Sequence, residues 1–80
     1  MNQKATTPDE RFLVQLHKLA HGEIGKPVSI ARAAKAASLK DTAVKNIIKH
    51  LAQANLVEKI GETQVALTAR GLQLVEELSS

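Results

Sequence analysis

A chain of 80 residues with a formal charge of +3, a single aromatic residue and no cysteine makes one domain and leaves little room for a deep catalytic cavity, because a chain this short buries only about 60% of the surface its unfolded form exposes. Phe12 alone offers no stacking platform for single-stranded nucleic acid, and a chain without Cys has neither a disulfide framework nor a thiolate metal site. No apolar run approaches the roughly 20 residues that cross a bilayer, and the polar start MNQKATTPDE lacks the apolar core of a signal peptide, so a soluble cytoplasmic protein with no membrane partner is expected.

The first helix is announced by Thr7-Pro8-Asp9-Glu10: a capping threonine, proline at the first helical position and a glutamate placed to reach back to the cap. It is expected to run to about His21 and stop at Gly22. Phe12, Leu13, Leu16, Leu19 and Ala20 share one arc, the pattern of a helix with one buried side. Val14 falls on the opposite side, near His17 and His21. Gly22 to Pro27 reads as a turn, and Val28 as a brief strand. Ser29 caps a second helix whose inner face is Ile30, Ala33, Ala34 and Ala37, with alanines small enough for close helix approach.

Ser38-Leu39-Lys40 is a short break before the stretch KDTAVKNIIKHL. There Val44, Ile47, Ile48 and Leu51 repeat at i, i+3, i+4 and i+7, while Thr42, Lys45, Asn46 and Lys49 fill the gaps. Two short helices joined by so few residues have helix-turn-helix spacing. Asn55 is a natural left-handed terminator. LVEKI and QVAL are β-prone runs separated by Gly61-Glu62-Thr63, a tight hairpin. Thr68 opens a last helix, Ala69 to Leu78.

Charge is unevenly spread along this order. From Lys26 to Lys59 seven basic residues stand against two acidic ones, whereas the remainder is mildly acidic. Such a basic middle suits a polyanion, although a merely solvated lysine-rich surface gives the same count.

The run from AAKAASLKDTAVKNIIKHLAQANLV to the LTARG that follows the hairpin resembles the winged helix-turn-helix domain of MarR-like transcription regulators. In that pattern a turn precedes a helix of the form T-V-x-x-x-[IL]-x-x-L-x-x-x-G-L-[VI], then a hairpin wing and L-T-x-x-G. The likeness extends over nearly the whole chain from Arg11. It implies a mainly helical fold with a small hairpin wing: helix, short strand, helix, helix, two-stranded wing, helix. From its length the chain is expected to be a single domain over 1–80, with 1–6 as a flexible lead-in and no separate effector domain.

By the same resemblance the helix from Thr42 to Ala54 would enter the major groove of double-stranded DNA, with Thr42, Lys45 and Asn46 near base edges or flanking phosphates and Lys49 one turn further. Lys59 at the base of the wing and Ser29 at a helix start would meet backbone phosphates, and Arg32, Lys35 and Lys40 would add positive charge. Two residues depart from the pattern. Lys40 stands where a Ser or Thr usually caps the helix, so Asp41 or a backbone group would have to take that place, and Glu62 occupies the wing tip where an Arg is common. Asp41 beside the groove would repel phosphate unless it accepts a hydrogen bond from a cytosine amine.

The competing readings follow from other residues. A winged helix also serves as a protein-interaction module, docking on an acidic partner or within a larger complex. His17 and His21 have the i, i+4 spacing of two metal ligands, but Lys18 replaces the glutamate of a zinc-protease motif and no third ligand is evident besides Glu23. The histidines therefore read as surface or interface residues, and His50 as a residue flanking the core edge, with a phosphate contact as the alternative. Val14, His17, Leu74 and Leu78 on the terminal helices suggest the seam of a homodimer. With no nucleophile motif and no phosphate loop, an enzyme, a cofactor and a small-molecule substrate are not expected.

Overall fold

In the computed structural model, which describes residues 7–79, the chain begins with a reciprocal cap. Thr7 Oγ1 accepts from the Glu10 amide at 3.1 Å and Glu10 Oε1 accepts from the Thr7 amide at 3.2 Å, so two otherwise open donors of the first turn are satisfied. The lead-in 1–6 lies outside the described residues. Helix α1 spans Pro8–Leu19, two residues shorter than its apolar pattern suggested. His21 and Gly22 take left-handed φ of 54° and 74°, and their amides turn back onto the Lys18 and His17 carbonyls, which closes the helix.

Strand β1 (Val28–Ser29) leads directly into α2 (Ile30–Ala36), capped by Ser29 Oγ accepting from the Arg32 amide at 3.3 Å. Ser38, at φ 59°, ends that helix, and α3 follows at Asp41–Gln53. Asn55, at φ 64°, terminates α3 as its type predicts. The wing comprises β2 (Val57–Ile60) and β3 (Gln64–Leu67), paired antiparallel from Val57↔Leu67 to Ile60↔Gln64 around the loop Gly61-Glu62-Thr63. On the other side of β3, β1 pairs Val28 with Val65 and Ser29 with Gln64. The sheet order is therefore β1-β3-β2. With strands on both sides and helices nearby, β3 buries Val65, Ala66 and Leu67 in succession rather than alternating. Helix α4 (Ala69–Ser79) completes the winged helix-turn-helix order.

Packing is centred on α1, which contacts α2, α3, α4 and β3. Phe12, Leu13 and Leu16 are fully buried and join Ala33 of α2, Val44, Ile47, Ile48 and Leu51 of α3, Val57, Val65 and Leu67 of the wing and Val75 of α4 in one cluster. Each fully buried large aliphatic or aromatic side chain contributes about 1.5 to 3 kcal/mol. Ala33 at 0% exposure shows why α2 carries alanines: a larger side chain would hold the helices apart.

One joint ties α4 to the end of α3. Thr68 Oγ1 donates to the Asn55 carbonyl at 2.7 Å and accepts from the Gly71 amide at 3.0 Å, while the Thr68 amide reaches the Leu56 carbonyl at 3.3 Å. Gly71 is buried, and a Cβ there would overlap the Leu56 carbonyl oxygen. Because that neighbour is backbone, it cannot rotate away. Gly71→Ala should therefore destabilise the fold by about 1 to 3 kcal/mol, read as a lower urea midpoint with unchanged m-value; a midpoint within error of the unmodified protein would show that the joint gives way freely.

Candidate nucleic-acid interface

The two sides of α3 have different environments. Val44, Ile47, Ile48 and Leu51 are buried against the rest of the core, which fixes the helix in rotation and depth. Thr42, Asn46, Lys49 and Gln53 run along the opposite ridge at i+4, i+3 and i+4 intervals and are all exposed. Gln53 extends the row that the sequence pattern marked and could have been found by continuing the same spacing.

Lys45 leaves that ridge for the flank facing the wing. It lines an open groove of about 810 Å³ between α2, α3 and the hairpin. The α3 wall carries Asp41, Val44, Lys45 and Ile48; the wing wall carries Lys59, Glu62 and Thr63; Ser29, Ile30, Ala31 and Ala34 close it from the β1–α2 side. The fold thus brings Ser29, Lys45 and Lys59 into one cleft, two lysines from opposite walls. Arg32, Lys35 and Lys40 are exposed but do not line it. The groove itself was not apparent from the sequence, because it exists only once β1 has carried the start of α2 alongside the hairpin.

The beginning of α3 is unusual. Lys40 occupies the cap position with extended backbone, φ −80° and ψ 152°, and no side-chain hydrogen bond caps the helix. Asp41 does not substitute for the missing cap; it is the first helical residue and lines the groove from the α3 side. Ser29, by contrast, already accepts from Arg32 with its hydroxyl oxygen, which leaves its O–H as the group available to an outside acceptor.

The histidines are not arranged as the i, i+4 pair of a helix. His21 follows the helix end with left-handed φ, so the ligand geometry that spacing would give on a continuous helix is lost. His17 is half-buried with its Nε2 beside Gly22. Among the described residues no group of three or more His, Cys, Asp or Glu could hold a metal ion. His50 flanks the core edge, lining a groove with Leu13 and Leu51; its side chain is 63% exposed, and Nδ1 lies 3.6 Å from Asp9 Oδ2 of α1. This contact forms an ion pair only when the imidazole is protonated, and at this exposure it contributes little to stability.

Val14, His17, Leu74 and Leu78 are all intermediate in exposure. Leu74 differs from the others: it packs against the core and lines a second groove with Leu13, His50, Leu51 and Leu56. No helix among the described residues is long and apolar enough to cross a membrane.

Neither a family model nor a curated protein matches this sequence. Solved structures match its fold. A MarR family transcriptional regulator from Silicibacter pomeroyi superposes with a TM-score of 0.72 at 24% identity, over 90% of this chain. RV1404 from Mycobacterium tuberculosis gives 0.74 at 24% identity, over 92%. In both cases the chain spans about 50% of the neighbour's length. The fold is the MarR-like winged helix, with α2 and α3 as the helix-turn-helix pair and β2–β3 as the wing.

The division of α3 gives a direct stability contrast. Ile47→Ala should cost about 2 to 5 kcal/mol by removing buried methyl groups, whereas Lys49→Ala should stay within about 0.5 kcal/mol of the unmodified chain. Urea denaturation of both variants checks this, and similar losses would mean that the ridge also supports the fold.

Proposed function

We propose that this chain binds double-stranded DNA sequence-specifically by placing α3 in the major groove, and that it acts as a small transcriptional regulator in the cytoplasm. The observation that carries this reading is the rigidly anchored α3 with an exposed ridge of Thr42, Asn46 and Lys49. A helix of roughly 10–12 Å diameter fits the roughly 12 Å major groove. The amide of Asn46 suits adenine, donating to N7 and accepting from N6. Lys45 and Lys49 are flexible point charges suited to phosphate or guanine acceptors. Lys59 and the Ser29 hydroxyl flank α3 from the wing side, where a phosphate chain would run. Glu62 at the wing tip limits the wing to a supporting part. The transcriptional role described for the Silicibacter pomeroyi neighbour adds to this proposal for the half of that protein that this chain matches.

A second reading has one observation in its favour. The groove between α2, α3 and the wing has an apolar floor of Ile30, Ala31, Ala34, Val44 and Ile48 and carries acids as well as lysines on its walls, a lining that also suits a peptide segment of a protein partner. Salt dependence separates the two. DNA binding through about four to six phosphates gives a log-log slope of about −3 to −6 per protomer; a slope near zero, or no binding at low salt, favours the protein module. Within the DNA reading, Asn46→Ala should cost about 1 to 3 kcal/mol on the preferred duplex and much less on scrambled DNA, whereas Lys49→Ala should weaken both alike and flatten the slope by about one unit. Equal losses for Asn46→Ala on both duplexes would remove it as a base reader.

The proposal includes a homodimer paired through the terminal helices, since two-fold symmetry suits a palindromic site. Val14, His17 and Leu78 are the half-exposed candidates for its seam, and Leu74 would support them from the core edge. Replacing Val14 and Leu78 with Lys, while leaving the core-packed Leu74 intact, should give a folded monomer with weaker binding to a palindromic duplex. Sedimentation of the unmodified chain as a monomer at micromolar concentration would rule the dimer out.

A further inference from the structure

We infer that Asp41 and Lys45 together read a C·G base pair, Asp41 accepting a hydrogen bond from the cytosine N4 amine and Lys45 donating to the guanine O6 and N7. This rests on the DNA reading above and adds a specificity-determining residue to it. Asp41 is the anomaly of the interface: an exposed carboxylate on the first turn of a helix whose other charged residues on the exposed side are Lys45 and Lys49. It lies on the same groove wall as Lys45, one turn earlier. Spacing of i, i+4 favours an ion pair between them, yet Asp41 forms none and has no hydrogen-bond partner among the described residues. Both side chains are therefore available to a third party.

An acid in the first turn does favour the helix dipole, but that role is indifferent to which way the carboxylate faces. Lining the cleft beside Lys45, the carboxylate would meet the phosphate field of a bound duplex and lose water there, and it becomes favourable only against a hydrogen-bond donor. The major groove presents two amine donors, on cytosine and adenine. Adenine sets its N7 acceptor beside the amine on the same base, which suits an amide such as Asn46 and repels a second carboxylate oxygen. Cytosine offers the amine as its only polar group in that groove, and its guanine partner presents O6 and N7 to a lysine. Side chains one helical turn apart, about 5 to 6 Å between Cβ atoms, are close enough to reach the two halves of one pair.

The test is competition binding by the unmodified chain, Asp41→Asn and Asp41→Ala on a duplex selected from a random pool by the unmodified chain, on copies with single C·G pairs replaced, and on a scrambled duplex. On scrambled DNA both variants should bind about two- to fivefold more tightly, because a charge facing phosphate has been removed. On the selected duplex Asp41→Ala, which has no acceptor, should bind about tenfold more weakly, whereas Asp41→Asn keeps an amide oxygen that accepts from the cytosine amine and should lose much less. Replacing one particular C·G pair should cost the unmodified chain a similar factor and Asp41→Ala almost nothing. An equal gain on every duplex would overturn the inference and leave Asp41 as a simple repeller of phosphate. A lower melting temperature with an unchanged ratio of selected to scrambled binding would likewise overturn it in favour of the helix-dipole role. If the unmodified chain binds no duplex at all, the DNA reading itself fails.

Discussion

The structure depends on the complete burial of Phe12, Leu13 and Leu16 along one side of α1. These side chains form the floor on which α2, α3, β3 and α4 are laid. An 80-residue chain cannot build several independent cores, so a single helix serves α2, α3, α4 and β3 together. That explains why the partner surfaces are graded in size: alanines where α2 must come close, branched side chains on α3, and the single fully apposed Val75 from α4. Functional consequences follow from this arrangement rather than from α3 alone. A ridge can present side chains in a fixed register only if the opposite side of its helix cannot roll, and Val44, Ile47, Ile48 and Leu51 prevent that rolling.

The electrostatics are layered on the same arrangement. The lysines near α3 lie on its exposed surface and in the adjoining groove, while Asp9 and Glu10 occupy the first turn of α1. Those two acids favour the helix at its N-terminus, and Glu10 in addition completes the cap. Acidic groups that serve helix stability are thereby separated from the basic side, and a modest net charge can still give a strongly directional field. Asp41, Glu58 and Glu62 depart from this separation, and Asp41 and Glu62 line the groove beside Lys45 and Lys59. Two acids thus share that cleft with two lysines, and its charge is mixed rather than uniformly positive.

Much of the fold was legible because its signals are local. The capping box at Thr7 and Glu10, the left-handed Asn55, the hairpin around Gly61 and the apolar repeat of α3 each depend on residues within a few positions of one another, and the structure reproduces them all. What the sequence concealed depends on distant partners. The end of α1 was placed too late because Leu19 and Ala20 continue the apolar arc, whereas backbone closure at His21 and Gly22 decides the boundary. The groove requires β1, α2 and the wing to meet, and His50 faces Asp9 across 41 positions of sequence. The motif LTARG was visible, but the reason for its Gly became clear only when the Leu56 carbonyl was found against it.

The sheet has a further physical consequence. Its order β1-β3-β2 leaves both outer strands with one unpaired edge among the described residues, and such edges recruit strands from other molecules. Here one edge is only two residues long and the other, four residues, places exposed Glu58 beside exposed Lys59. A strand added by another copy would have to bring its own Glu and Lys into the same narrow ladder, with a length too short to compensate. The short lengths of the two edges and the charge on β2 therefore disfavour edge-to-edge strand addition between copies, a route separate from pairing through the terminal helices.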